Sequence, residues 1–266
     1  MPKYLLLFVL MSFAAPLQAA NPLLERILEE VYASYNRQER PMVIFDLDGT
    51  LFDNRLRILK ILNEYAEQEL KNVRTEDAKK IAALDVERVQ YALPETLRLA
   101  GITDQGVINN AAIFWAERFF DDDYLKYDTP TPGIVQYVRT LYSSGARIVY
   151  LTARDAPRQL LGTVKSLRDH GFPIGIQGTE LIMRPSAQTQ DAVYKQQVTS
   201  YLRHYGKVIA AFDNEPANAN VYRRSFKEAT CVLFEAPSSP NPPPLSDGIN
   251  RLPTFEKALE PTPIGP

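Results

Sequence analysis

One cysteine, two histidines and one tryptophan are all that this 266-residue chain holds of those residue types. Cys231 alone excludes an intrachain disulfide, a CxxC redox pair and a thiolate zinc cluster. His170 and His204 are too few for a histidine-rich metal centre. Positive charge is not in excess either: 30 Lys and Arg stand against 32 Asp and Glu, a net charge of -2. Proteins that bind nucleic acid or anionic membrane concentrate Lys and Arg to displace counterions, and this chain lacks that footprint. Small anionic substrates remain open to it. What is present is ordinary: 45% hydrophobic and 23% charged residues, enough to bury a substantial core in one large domain or a domain with an insert.

The first twenty residues have the layout of a secretory signal. Lys3 precedes an apolar run from Tyr4 to about Ala15, followed by Pro16 and the small residues Ala19 and Ala20. Leu17 or Gln18 at the minus-three position departs from the small-x-small rule, which blurs the cleavage point by a residue. The alternative is an uncleaved anchor, for which the run is short. The expectation is a signal peptide over 1–20, no stable membrane anchor and a mature protein that works outside the cytoplasm, secreted or in a bacterial periplasm.

Beyond it, Asn21-Pro22 opens an amphipathic segment with Leu23, Leu24, Ile27, Leu28, Val31 and Tyr32 at helical spacing. Short, nearly all-apolar runs follow at Met42 to Asp46, Arg147 to Leu151, Glu180 to Met183, Val208 to Phe212 and Cys231 to Phe234. Such runs suit strands covered on both faces. Helix punctuation lies between the later ones: Thr131-Pro132 to Gly145, Asp155-Ala156-Pro157 to Gly171, and about Thr189 to Gly206. This alternation predicts a doubly wound, Rossmann-like parallel sheet in an α/β fold, with its ligand crevice beyond the carboxyl ends of the strands.

The crossover after the first strand is far longer than the fold needs. Leu56, Leu59, Ile61, Leu62 and Tyr65, then Ala78 to Leu93, then Val107 to Phe120, read as three helical segments of an inserted α-helical cap over 54–128. Phe114, Trp115, Phe119 and Phe120 are read as the cap's own core, with some facing a substrate. The Asp121-Asp122-Asp123 run is read as a solvated helix-to-loop junction. The expected organisation is signal (1–20), first helix and strand (21–53), cap (54–128), remaining core (129–235) and a proline-rich tail (236–266) that wraps the domain as extended chain.

The chemistry concentrates at strand ends. Val43 to Asp53, VIFDLDGTLFD, places Asp46 and Asp48 two residues apart at the end of the first strand, a pair of like charges that needs a cation or a hydrogen-bond cage. Thr152 ends the second strand beside a helix start, where unpaired backbone N–H groups favour an anion. Lys195 lies on a helix before the fourth strand, and Asp213 ends that strand in AFDNEP. Asp155 reads as a helix cap and Arg154 as a substrate contact.

Over residues 42 to 235 this ordered set resembles the haloacid dehalogenase-type hydrolase superfamily, in its phosphatase branch with a helical cap between the first and second motifs. The resemblance implies that Asp46 is a nucleophile forming an aspartyl-phosphate and Asp48 the general acid/base. It also implies that Thr152 and Lys195, with Ala153 beside them, hold the phosphoryl group, and that Asp46, Asp48 and Asp213 bind Mg²⁺. The dehalogenase branch lacks the second aspartate, so Asp48 points to phosphoryl transfer. Many members carry an acid where this chain has Asn214, followed by Glu215, which leaves open how the cation shell is completed. The stretch from Leu151 to Pro216 also resembles the phosphatase half of phage-type polynucleotide kinase. The expectation is therefore a secreted, Mg²⁺-dependent phosphatase for a small phosphorylated substrate, without nucleic acid as a partner. The alternatives are a non-catalytic phosphate-binding scaffold, a phosphotransferase, or a polynucleotide 3′-phosphatase.

Overall fold

The first strand, β1 (Pro41–Phe45), is buried along its whole length, and its alternate side chains enter two different cores. Val43 and Phe45 pack on one face of the sheet, Met42 and Ile44 on the other. A strand covered on both faces must be apolar throughout, which is how the sequence reads. A computed structural model describes residues 21–256 of the chain; the expected signal peptide and the last ten residues of the tail lie outside them.

In chain order the elements are α1 (Pro22–Asn36), β1, the short strand β2 (Phe52–Asp53), α2 (Arg55–Tyr65), α3 (Thr75–Ala82), α4 (Leu93–Leu99), α5 (Gln105–Phe119) and β3 (Thr129–Pro130). There follow α6 (Ile134–Ser143), β4 (Arg147–Asp155), α7 (Ala156–Asp169), β5 (Thr179–Arg184), α8 (Asp191–Leu202), β6 (Lys207–Asp213), α9 (Pro216–Ser225), β7 (Thr230–Phe234) and β8 (Asn250–Leu252). Six strands form one parallel sheet in the order β5-β4-β1-β6-β7-β8. Residues of α1, α6 and α7 fill the core on one face, and residues of α8 and α9 fill it on the other. The chain order reverses between β4 and β6 around central β1, which opens the ligand crevice above β1.

The tail does more than wrap. Its segment 250–252 adds β8 to the sheet edge beside β7, and Phe255 is fully buried, packed near Tyr137, Phe212 and Phe234. An edge position suits a proline-rich segment because it needs backbone pairing on one side only.

The insert has its own hydrophobic core, built on Ile61, Leu62, Tyr65, Ile81, Leu97, Val107 and Ala111. It differs from the reading in its middle segment. Ala78 to Leu93 is not one helix: α3 ends at Ala82, a 3₁₀ turn spans Val86–Arg88, and α4 begins at Leu93. The Asp85 carboxylate accepts a bond from the Arg88 N–H and so caps the 3₁₀ turn, while Pro94 can start a helix but not continue one. Asp121 likewise caps a 3₁₀ helix over Asp122–Tyr127, accepting from the Asp123 N–H, and Asp122 accepts from the Gly162 N–H. Both linkers of the insert pass through the two-stranded antiparallel pair β2–β3, where Phe52 faces Pro130 and Asp53 faces Thr129.

Candidate active site

Asp46 follows β1, and its N–H bonds to the Phe212 carbonyl of the neighbouring strand, so the chain leaves the sheet with this side chain at the crevice. The turn that follows requires Gly49. Its φ is +79°, and a Cβ there would stand 2.4 Å from the Asn214 amide nitrogen.

Five carboxylates and three cations sort themselves into two groups. In the first, the Lys195 ammonium, 1% exposed, donates to Asp46 Oδ1 at 2.7 Å and to Asp213 Oδ2 at 2.8 Å. Asp191, one turn earlier on α8, lies 3.7 Å from the same nitrogen. The Asn218 amide donates to Asp191 Oδ2 and Asp213 Oδ1, and the Glu215 N–H donates to Asp213 Oδ1. Burial pushes the Asp46 carboxyl well above its ordinary value, against the pull of Lys195 and helped by Asp213 and Asp191. Against its own burial, Asp213 and Asp46 raise the Lys195 ammonium. Lys195 is therefore charged at any physiological pH.

The second group holds Asp48. Arg154 forks onto it, Nε to Oδ2 and Nη2 to Oδ1, both at 2.8 Å, and Arg57 Nη2 adds a third bond to Oδ1 at 2.8 Å. Asp128 closes the ring, accepting from Arg154 Nη2 at 2.8 Å and lying 3.0 Å from Arg57 Nε. Two negative and two positive charges balance here, and both guanidiniums are buried. Against the penalty of burial, Arg154 and then Arg57 hold the Asp48 carboxyl well below the usual carboxylate range. Burial pushes Asp128 up to about 6, opposed by the same two arginines. Asp48 is thus stored as an ionised acceptor.

Asp46, Asp48, Thr152, Ala153, Asp191 and Asn214 line one cavity of about 670 Å³ between the core and the cap. Lys195 and Asp213 sit behind Asp46 and reach the site through it. Thr152 is buried within β4, at the point where its regular pairing with β5 breaks, and its hydroxyl oxygen accepts from the Arg154 N–H at 3.1 Å, leaving its own O–H to donate. Arg154, expected to contact substrate, lines the cavity too, with its guanidinium bonded to Asp48 and Asp128. Asp155 occupies the cap position of α7 but makes no capping bond, since its carboxylate pairs with Arg158.

Asn214 donates to the Pro237 carbonyl at 2.7 Å, and Glu215 accepts from the Ser239 N–H and hydroxyl. Both residues pin the tail segment to the crevice. Arg57 and Asp128 were not singled out by the reading. Arg57 had a signal: it lies four residues before Ile61 and eight before Tyr65, a charge on the buried stripe of α2. Asp128 had none.

Among the described residues, no three Asp, Glu, His or Cys side chains form a ready metal cage. A main-chain donor is needed, and with its carboxylate engaged by Arg154, Asp48 can offer its carbonyl. The remaining donors are oxygens. The second Asp46 oxygen takes no hydrogen bond from a described residue, and Asp191 Oδ1 is buried without a partner. Three carboxylates around one ammonium leave an excess of two negative charges when all are ionised. That donor set fits a hard divalent cation.

A carboxylate–lysine–carboxylate cluster at the carboxyl edge of a doubly wound sheet, beneath a helical insert, defines a capped α/β protein. Residues 43–162 match the family described as haloacid dehalogenase-like hydrolase, a span that includes Asp46, Asp48 and Thr152. Over that span the chain is similar to this family of hydrolases. A Clostridium difficile protein assigned as a phosphatase superposes with a TM-score of 0.50 at 16% identity, over 76% of this chain and 88% of that one. Protein tyrosine kinase A of Mycobacterium tuberculosis gives 0.50 at 18% identity, over 82% and 95%. A haloacid dehalogenase-superfamily hydrolase of subfamily IA from Geobacter sulfurreducens gives 0.48 at 16%, over 81% and 92%. At such identities the likeness is one of fold. No curated protein matches the chain.

Proposed function

We propose that this hydrolase is a phosphatase for small phosphomonoesters, acting through an aspartyl-phosphate on Asp46. The observation that carries the reading is Lys195, buried and bonded at once to Asp46 and Asp213. A fixed ammonium at this point lowers the repulsion between a carboxylate nucleophile and a phosphate dianion, and it is in place before substrate arrives.

An Asp46 carboxylate oxygen attacks phosphorus, the bond to the leaving oxygen breaks, and that oxygen takes a proton. Water then attacks phosphorus, the Asp46–phosphorus bond breaks and inorganic phosphate leaves. Thr152 O–H and the N–H of Ala153 are the donors for the phosphoryl oxygens. Asp48 is the group placed to carry the proton: its carboxylate has to leave the Arg154 fork and take a proton from solvent, give it to the leaving oxygen, and then recover one from the attacking water. Asp46, Asp213 and the Asp48 carbonyl are the residues to hold Mg²⁺. When bound, that ion supplies further neutralisation of the phosphate charge.

The same reading takes the protein to be secreted or periplasmic, on the strength of the leader-like residues 1–20. It takes the substrate to be small, because the chain has no basic excess and its site lies in a cavity of about 670 Å³ beneath the cap. No helix among the described residues is long and apolar enough to cross a membrane. The test is hydrolysis of an aryl phosphate by the purified protein with and without Mg²⁺. Turnover is expected only with the ion and is lost in Asp46→Asn; turnover that survives that substitution refutes the nucleophile.

A further inference from the structure

The cavity is larger than its chemistry requires. A phosphoryl group fills a small part of about 670 Å³, and the rest must receive the alcohol half of the ester. Four of the side chains around the cavity are aromatic and come from two separate segments of the cap. Tyr91 lies between the 3₁₀ turn and α4, while Trp115, Phe119 and Phe120 lie at the end of α5, and all four line the cavity.

These rings are not simply cap core. Phe114, on the same helix, is buried among the cap's apolar residues, whereas Trp115 and Phe119 only pack against that core and Phe120 is not part of it. The three touch one another: Trp115 to Phe119 at 4.5 Å between centroids, Phe119 to Phe120 at 5.2 Å and Trp115 to Phe120 at 5.7 Å, the last two edge-on. Rings locked together in this way make a rigid apolar wall that loses little entropy when a planar group is laid on it. A sugar or glycerol phosphate presents hydroxyls at every side and would leave them unpaired against such a wall.

Polar side chains share the lining, among them Asn54, Arg55, Gln90 and Arg184, and one of the polar groups is both buried and unsatisfied. Gln159 lines the cavity from α7 and is 2% exposed, and its carboxamide oxygen has no hydrogen-bond partner among the described residues. A buried amide without a partner is costly to keep, and it suits a ligand that brings a polar edge.

We propose that the preferred substrates are phosphomonoesters whose alcohol carries a planar aromatic ring with a polar edge, the ring resting on the Trp115–Phe119–Phe120 wall and the edge reaching Gln159. This rests on the phosphatase reading and extends it to substrate class. Nucleoside monophosphates carry both the ring and the polar edge, and aryl phosphates such as phosphotyrosine carry the ring.

The test compares kcat/KM of the full protein for a nucleoside 5′-monophosphate, phosphotyrosine, glycerol phosphate and glucose 6-phosphate. Both ring-bearing esters are expected to exceed both ringless ones by at least roughly tenfold, the scale of one good aromatic contact. Gln159→Leu is expected to lower the rate for the nucleotide, whose base carries a polar edge, more than for phosphotyrosine, whose ring edge is apolar; an equal or larger loss for phosphotyrosine overturns the role of Gln159. Trp115→Ala and the milder Phe120→Leu are expected to raise KM for ring-bearing esters by roughly that factor more than for ringless ones. Equal kcat/KM for the two groups, or equal losses in both variants, overturns the proposal. Trp115 is the only tryptophan, so its fluorescence reads the wall directly. If nothing is hydrolysed, the phosphatase reading fails, yet saturable quenching by ring-bearing esters and not by glycerol phosphate still supports the wall; no quenching refutes it.

Discussion

Replacing Arg154 by Met removes the centre of the buried Asp48–Arg154–Asp128–Arg57 ring while nearly keeping its volume. Three hydrogen bonds to carboxylates are lost, and two negative charges remain with Arg57 as their only partner. Breaking a buried ion pair from one side costs about 3–5 kcal/mol, because an uncompensated charge stays behind. For a chain of this size that corresponds to a fall of roughly 6–20 °C in Tm. The assay is urea unfolding followed by far-UV circular dichroism, with Asp53→Ala as control. The Asp53–Arg55 pair is about 30% exposed on each side, so its loss should cost less than about 1 kcal/mol. Adding Asp128→Asn to Arg154→Met restores neutrality, and the double variant should regain at least about 1 kcal/mol over the single one. A cost below about 1 kcal/mol for Arg154→Met, or strictly additive effects, would refute the picture of a closed, charge-balanced ring.

Further outcomes follow from other contacts. Lys195→Met strips the shared cation from Asp46 and Asp213, and turnover of an aryl phosphate should fall roughly 10²–10³-fold, with a smaller effect on KM. Gly49→Ala forces a Cβ at φ +79° to within 2.4 Å of Asn214, and the denaturation midpoint should report a loss of about 1–3 kcal/mol. Glu39 is held down to about 2 from 4.5 by Arg37 first and then Lys207. A lowered carboxyl contributes stability above its unfolded value and loses it as pH falls through about 2. Lys207→Gln should therefore move acid unfolding to higher pH, as followed by fluorescence.

Much of this arrangement was legible from residue order. A parallel strand covered on both faces reads as an apolar run, and β1, β4, β6 and β7 contain such runs, whereas edge strand β5 is only half-buried and holds a shorter one, Leu181 to Met183. The strand-end carboxylates Asp46 and Asp213 were legible for a related reason: a charge directly after a buried strand has few structural uses. The pairings were not. Asp48 and Arg154 are 106 residues apart, and only the sheet order places β4 beside β1. Asp128 sits in a linker with no periodicity to mark it. In the cap, a continuous apolar pattern over 78–93 hid the local side-chain bond by which Asp85 breaks the helix. Strand β8 was hidden by its prolines, which an edge tolerates.

The crevice is finished by the end of the chain. Asn214 and Glu215 grip Pro237 and Ser239, β8 seals the sheet edge, and Phe255 enters the core beneath them. A nascent chain that already carries every motif residue therefore still lacks one wall of the crevice until the segment around Phe255 docks, and shortening or tagging the chain near that segment is expected to disturb the site from far along the sequence.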